Sequence, residues 1–126
     1  MNQRTEMINA VEAFLDGLTR NDIERMPFAA DIMLKSPLDP EHPSIGREAA
    51  HDFLTRRVFP RIPVRKADVE RHMVEGDCVA TLWKATFALP EGDAVVPIFD
   101  FFRVENGLIK EIRPYFDPKP LKDRSG

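Results

Sequence analysis

The spacing of apolar residues predicts helices in the first half of the chain. Apolar side chains recur at steps of three and four between residues 7 and 18, which is typical of an amphipathic helix. Residues 21–22 end this helix and begin a second one, which Pro27 limits to a turn or two. Residues 30–35 have the pattern of a short strand that enters a proline-rich loop, and residues 45–58 predict a third helix.

In the second half the apolar residues recur with a period of two, which is typical of strands with one buried face. Four such runs are separated by turn signals, and they occupy residues 66–74, 78–89, 94–104 and 108–116. Before the last run, Asn106-Gly107 is a strong signal for a two-residue hairpin turn. Three consecutive hairpins predict an antiparallel meander, and the helices must cover one of its faces. The expected fold class is therefore α+β.

The length of 126 residues fits one domain and leaves no room for two of ordinary size. Apolar residues make up 43% of the chain, which is enough for a core. We expect a single domain over residues 1–126, with its core at about residues 5–117 and an extended tail at residues 118–126.

Charge and motif content argue against several classes of function. Eighteen Lys and Arg against 21 Asp and Glu give a net charge of −3 without a basic cluster, which disfavours nucleic-acid binding. No apolar run approaches the roughly 18 residues of a membrane helix, and the first residues lack a signal peptide's apolar stretch. One cysteine, Cys78, and three scattered histidines offer neither a disulfide nor zinc spacing, and there is no glycine-rich phosphate loop. We expect a soluble, cytoplasmic protein with no metal, cofactor, membrane or nucleic-acid partner.

Asp100 is the most unusual residue of the chain, because it lies within the apolar run 98–102. The period of two places it on the same face as Val96 and Phe102. A carboxylate among apolar groups loses hydration, so we expect its pKa to rise and the group to act as a neutral acid at a functional site. Alternatively, Asp100 pairs with Arg103, Lys84 or Arg113, or caps a bulge.

His72, on the first predicted strand of the meander, is the second candidate for acid/base chemistry because a histidine titrates near pH 7. A surface position is the alternative for this residue. Asp31 and Asp39 flank a loop that could cover a cavity, or they serve turn formation. Arg113 and Tyr115 share one face of the last strand, opposite Leu108, Ile112 and Phe116, and a partly aromatic outer face suits a subunit interface.

The order of these elements, with two local motifs, resembles the nuclear transport factor 2-like superfamily, which includes ketosteroid isomerases, SnoaL-like polyketide cyclases and limonene epoxide hydrolases. The motifs are Ile-Gly-Arg-Glu-Ala at residues 45–49 and Phe-Asp-Phe-Phe-Arg-Val-Glu-Asn-Gly-Leu-Ile at residues 99–109. The resemblance covers residues 5–120. It implies a cone-shaped fold in which a strongly curved antiparallel sheet wraps around the N-terminal helices and encloses an apolar pocket. It also implies a homodimer joined through the sheets.

The resemblance to the isomerases implies an incomplete set of catalytic residues in this chain. Asp100 matches the protonated Asp of the oxyanion hole, a carboxylic acid that an apolar site keeps neutral. Phe14 stands where the isomerases have a Tyr donor, and Ser36 stands in place of the general-base Asp. In the epoxide hydrolase comparison, Pro114 replaces the catalytic acid and Ile98 replaces the Arg. In the cyclase comparison, Asp100 can act with His72 if both face one cavity.

We therefore expect a small-molecule enzyme of acid/base type, an isomerase or polyketide cyclase-like protein, that acts on an apolar ligand in an internal pocket. Asp100 and His72 are the expected catalytic residues. The residues expected to line the pocket are Phe14, Ser36, Trp83, Phe102, Ile112 and Phe116. The alternatives are a non-catalytic small-ligand binding protein of the same fold, in which Asp100 anchors a polar group, and a dimerisation domain with a collapsed core.

Overall fold

The computed structural model describes residues 2–121, which form two helices and a six-stranded sheet. Helix α1 spans Gln3–Arg20 and α2 spans Arg47–Phe53, and a π-helical turn at Leu54–Val58 continues α2. A short 3-10 turn at Ile23–Arg25 follows α1. The strands are β1 (Phe28–Leu34), β2 (Ser44–Ile45), β3 (Val64–Glu75), β4 (Cys78–Leu89), β5 (Gly92–Glu105) and β6 (Leu108–Tyr115). The first predicted helix, the first strand and the meander are confirmed. The second predicted helix is only the 3-10 turn, and the third begins at Arg47 and not at residue 45, because Ser44–Ile45 pairs with β1 as strand β2.

Helix α1 has a defined start and end. The Asn2 side chain accepts a hydrogen bond from the Thr5 amide at 2.8 Å, which caps the first turn. At the other end, Asn21 adopts the left-handed conformation that commonly ends a helix. Gly17 allows the chain to fold back closely, since a Cβ there would lie 2.8 Å from the Asp22 carbonyl oxygen. The helix therefore ends at Arg20, and the 3-10 turn begins three residues later at Ile23.

The strand order is β2-β1-β6-β5-β4-β3, so the sheet is open and β2 and β3 are its edges. Strands β3 to β6 form the predicted antiparallel meander. Strand β1 joins the meander by parallel pairing with β6, which makes the complete sheet mixed where the resemblance implied an antiparallel one. The long connection allows this parallel pairing, because β2, α2, the π-helical turn and strands β3 to β5 all lie between β1 and β6 in the chain. Register shifts in β3, β6 and β1 mark the bulges that curve the sheet.

The bulge in β6 corrects the predicted face of one residue. Arg103 pairs with Glu111, whereas Val104 pairs with Ile109, so one extra residue is inserted in β6. The period of two is interrupted there, and Ile109 is buried while Leu108 is 44% exposed. The expectation that Leu108 shares the face of Ile112 is therefore wrong.

The core lies between α1 and the concave face of the sheet. The alternation in β5 is clear, because every second residue from Val96 to Val104 is buried. Phe14 of α1 contacts the sheet, with ring centroids 5.7 Å from Phe102 and 6.0 Å from Phe28. This packing closes one end of the concave space and leaves the other end open for a cavity.

The sequence analysis predicted an extended tail at residues 118–126, and the structure corrects part of this prediction. Lys119–Leu121 forms a 3-10 turn and Leu121 is fully buried, because its apolar side chain completes the core. Residues 122–126 lie outside the described part of the chain. Within residues 2–121, no helix is long and apolar enough to cross a membrane.

Candidate functional site

A cavity of about 80 Å³ lies between helix α1, the π-helical turn and the concave face of the sheet. This is about half the roughly 150 Å³ of an engineered apolar cavity that binds benzene, so the site fits a small ligand or one that projects from it. The predicted alternative of a collapsed core does not agree with this cavity. Its walls are formed by Phe14, Leu18, Leu34, Ser36, Leu38, Phe53, Leu54, Val58, Ile62, Val64, Trp83, Phe87, Ile98, Asp100, Pro114 and Phe116.

Among the described residues, Asp100 is the one ionisable side chain in this wall. It is 2% exposed, and its Oδ2 atom accepts a hydrogen bond from Trp83 Nε1 at 2.6 Å. Trp83 reaches it diagonally across two strands, because Trp83 pairs with Ile98, two residues before Asp100. The Oδ1 atom is buried and has no hydrogen-bond partner among the described residues. One oxygen of the carboxyl group is thus held in place, and the other has hydrogen-bonding capacity that the protein does not use.

Burial raises the pKa of Asp100 to about 7, and the hydrogen bond from Trp83 opposes this rise only in part. The cations considered as partners are engaged elsewhere. Lys84 Nζ lies 3.5 Å from Glu70 Oε1, and Arg103 Nη1 lies 2.5 Å from Glu105 Oε2. Arg113 bonds to Glu111 on the outer face. The raised pKa predicted for Asp100 is therefore confirmed, and a carboxyl group with this pKa is present in both protonation states near neutral pH.

Ser36, just after the end of β1, contributes a hydroxyl group to the cavity wall. It is 8% exposed, and its Oγ accepts a hydrogen bond from the Leu38 amide at 3.1 Å, as in a serine-initiated turn. Strand register places it on the level of Asp100. Leu34 pairs with Ile112 in β6, and two residues further along β6 Pro114 pairs with Asp100. Ser36 and Asp100 therefore lie on opposite sides of β6.

The proline-rich loop after β1 covers the cavity, as its flanking aspartates suggested. Leu38 of this loop and Phe53 of α2 both line the cavity. Next to Leu38, Asp39 Oδ2 accepts a hydrogen bond from Arg57 Nη1 at 3.0 Å, and the Arg57 guanidinium lies 5.5 Å from the centre of the Phe53 ring. Hydrogen bonds from His42 and Arg57 hold the pKa of Asp39 below its ordinary value. These contacts tie the loop to the π-helical turn.

His72 is not in the cavity wall. It lies on the same row of the sheet as Asp100, but Thr81 of β4 separates them, because His72 pairs with Thr81 and Thr81 pairs with Asp100. Two strand spacings put the two backbones about 10 Å apart. The His72 ring bonds to Thr81 Oγ1 at 2.8 Å and to Glu12 Oε1 at 3.1 Å. The structure thus does not bring His72 and Asp100 into one site.

Four of the six predicted pocket residues line the cavity, namely Phe14, Ser36, Trp83 and Phe116. The other two, Phe102 and Ile112, are fully buried and pair with each other beneath α1, where Phe14 fills the space. They belong to the packed core. The residues missed by the sequence analysis include Leu38, Phe53 and Pro114. The one signal for Phe53 in the sequence was its place in the apolar pattern of the third helix. Such a pattern predicts burial and does not distinguish the wall of a cavity from a packed core.

The wall is almost entirely apolar, so it can hold a small apolar molecule and offer it one carboxyl and one hydroxyl group. Among residues 2–121, no group of three or more His, Cys, Asp or Glu side chains is arranged to bind a metal ion.

Comparison with known proteins relates this geometry to a family. Residues 11–112 match the SnoaL-like domain family. A sequence comparison with curated proteins finds no significant match.

Solved structures share the fold over nearly the whole chain. An NTF2-like protein of unknown function from Burkholderia pseudomallei K96243 is 18% identical, with a TM-score of 0.81 over 95% of this chain and 97% of that chain. An LEH-like epoxide hydrolase from M. tuberculosis is 23% identical, with a TM-score of 0.78 over 96% of this chain and 90% of that one. A hypothetical protein with a ketosteroid isomerase-like fold from Catenulispora acidiphila DSM 44928, in complex with trimethylamine, is 19% identical, with a TM-score of 0.78 over 93% and 92%. At these identities the likeness establishes the fold.

Proposed function

The chain belongs to the SnoaL-like domain family, and from this premise we propose that it is a small-molecule enzyme of acid/base type, isomerase-like or cyclase-like, in which Asp100 carries the proton. The observation that supports this proposal is the Oδ1 atom of Asp100, which is buried in the wall of an apolar cavity and has no hydrogen-bond partner within residues 2–121. A polar atom with this environment is costly unless a ligand satisfies it. The proposed ligand is a small apolar molecule with a carbonyl group.

The proposed reaction begins with ionised Asp100. Its Oδ1 atom removes a proton from the carbon next to the ligand's carbonyl, the C–H electron pair forms a C=C bond, and the C=O π pair moves onto oxygen. The neutral acid then returns the proton to the same carbon or to a conjugated one. Trp83 holds Oδ2 throughout, so that Oδ1 keeps its orientation. A pKa of about 7 suits both steps, since proton removal needs the ionised form and proton return needs the neutral form.

The test is deuterium exchange into cyclohexanone in D2O, followed by proton NMR. We expect the protein to exchange the α-protons faster than buffer alone, and Asp100→Asn to lose this acceleration. The matched control is Asp68→Asn, which changes an exposed aspartate paired with Lys66 at 3.6 Å. If cyclohexanone binds, as detected by the fluorescence of the single tryptophan Trp83, but wild-type exchange equals that of buffer, the catalytic proposal is wrong.

A second candidate is a non-catalytic binding protein in which Asp100 only anchors a polar group of the ligand. It is favoured by the absence of a second ionisable side chain from the cavity wall within the described residues. His72, which sequence analysis assigned to catalysis, is directed to Thr81 and Glu12 instead. Binding without exchange in the experiment above supports this second candidate.

We also propose that the protein is a homodimer joined through the outer face of the sheet. Phe99 and Tyr115 pair across β5 and β6 on this face and are 38% and 57% exposed. Apolar and aromatic area of this kind marks contact surfaces. We expect Tyr115→Lys to shift sedimentation velocity from dimer to monomer at micromolar concentration. A wild-type chain that sediments as a monomer would contradict this proposal.

The proposed cytoplasmic location and the single domain over residues 1–126 rest on composition and length alone. Fractionation of cells that produce the full chain tests the location, and a single cooperative unfolding transition tests the domain.

A further inference from the structure

The chemistry proposed for Asp100 requires a second group that Asp100 cannot supply. When a proton leaves carbon, negative charge develops on the carbonyl oxygen, and a hydrogen-bond donor placed at that oxygen stabilises the transition state. Phe14, at the position of the isomerases' Tyr, cannot donate. The donor must therefore come from another residue in the wall of the same cavity.

Ser36 has the required properties. It lies in the cavity wall and is 8% exposed. Its Oγ already accepts the Leu38 amide, while its hydroxyl hydrogen has no acceptor among the described residues. A hydroxyl that accepts one hydrogen bond becomes a stronger donor for the next, because the two bonds polarise each other. Ser36 is thus a buried donor with unused capacity beside an otherwise apolar space.

The placement of Ser36 relative to Asp100 also fits. Ser36 is two residues beyond Leu34, whose partner Ile112 is two residues before Pro114, and Pro114 pairs with Asp100, so the extended register places Ser36 and Asp100 on either side of Pro114. Strands β1 and β5 flank β6 and are two strand spacings apart, about 10 Å, and the side chains of Ser36 and Asp100 line one cavity on the concave face. A ligand between them can present its carbonyl oxygen to one group and the neighbouring carbon to the other.

We propose that Ser36 is a further catalytic residue, whose hydroxyl donates a hydrogen bond to the substrate's carbonyl oxygen while Asp100 exchanges a proton with the adjacent carbon. This inference rests on the proposed function and specifies its substrate class as enolisable carbonyl compounds. It also reverses the roles that resemblance suggests for the two positions, because Asp100 becomes the base and Ser36 becomes the donor at oxygen.

The experiment compares wild type with Ser36→Ala and Ser36→Thr in the cyclohexanone exchange assay. We expect Ser36→Ala to lower the saturated exchange rate about 100-fold, the lower end of the effect of losing one oxyanion donor. Ser36→Thr keeps a hydroxyl and should recover at least a tenth of the wild-type rate. The midpoint of the pH–rate profile should stay the same in all three proteins, because it reports Asp100. The matched control is Ser44→Ala, a serine on β2 that is outside the cavity wall.

The outcomes separate the two proposals. Wild-type exchange that is lost in Asp100→Asn but unchanged in Ser36→Ala overturns the role of Ser36 and leaves the proposed function in place. No wild-type exchange overturns the proposed function itself. Because Ser36→Ala removes the acceptor of the Leu38 amide, the loop could also shift. In that case Ser36→Ala weakens cyclohexanone binding, which Trp83 fluorescence measures. If the exchange rate of Ser36→Ala at saturating cyclohexanone then equals that of wild type, this result also counts against the proposal.

Discussion

Replacing Asp100 by Asn should change how the stability of the protein depends on pH. The pKa of this carboxyl is about 7 in the folded protein, against 3.8 for an exposed aspartate, because burial disfavours the charged form. The folded state therefore holds its proton more tightly than the unfolded chain does. The stability from this group is fully present below pH 3.8 and is lost as the pH rises to about 7, after which it stays constant.

The expected magnitude follows from these two pKa values. The rise from 3.8 to about 7 corresponds to about 4 kcal/mol of unfolding free energy, at 1.36 kcal/mol for each pH unit. Asn has nearly the same shape but no proton to lose. Its amide places two donors where the neutral acid has one, and this cost does not vary with pH. We therefore expect Asp100→Asn to gain about 4 kcal/mol relative to wild type between pH 4 and pH 8, and to be at least as stable near neutrality.

The assay is urea unfolding at half-unit steps from pH 4 to pH 8, followed by far-ultraviolet circular dichroism. The carboxylates with lowered pKa values, Asp16, Asp31 and Asp39, contribute the opposite slope at the acidic end. Their contribution cancels in the difference between variant and wild type. Asp68→Asn, at an exposed position, should follow the wild-type curve. Parallel curves of unfolding free energy against pH for wild type and Asp100→Asn over the whole range would refute the reasoning, because they would show that the pKa of Asp100 is the same in the folded and unfolded states.

Three further substitutions test the site and the core. Trp83→Phe removes the hydrogen bond that opposes desolvation, so the pKa of Asp100 should rise above 7 in carbon-13 NMR, and an unchanged value would contradict the assigned bond. Asp39→Asn weakens the contact with Arg57 that holds the proline-rich loop, so stopped-flow fluorescence should show faster cyclohexanone association with little loss of stability, and an unchanged association rate would contradict this role of Asp39. Phe102→Ala should cost about 3–5 kcal/mol in urea unfolding, whereas a cost below 1 kcal/mol would mean that Phe102 is not part of the packed core.

The sequence was sufficient for most of the fold because the relevant signals are local. The steps of three and four in α1, the period of two in β5 and the Asn106-Gly107 turn each depend on neighbouring residues. Both turn residues adopt the positive φ angles that such a hairpin requires, 52° and 76°. The raised pKa of Asp100 was predictable for the same reason, since the apolar residues beside it already exclude hydration on one face of a strand.

Only the tertiary structure decided the contacts between residues that are distant in the chain. The period of two placed both His72 and Asp100 on strands, but the pairing of three strands decided that Thr81 lies between them. The bulge in β6 that turns Leu108 outward depends on its pairing with β5, and the closing of the loop over the cavity depends on Arg57, 18 residues beyond Asp39. An apolar pattern states that a side chain is buried, and the packing of α1 against the sheet determines whether it fills the core, as Phe102 does, or borders a cavity. The sequence alone therefore identified Asp100 as the buried acid. The assembly of the strands decided that Trp83 bonds to its Oδ2 atom, that its Oδ1 atom has no partner among the described residues, and that Ser36 lines the same cavity.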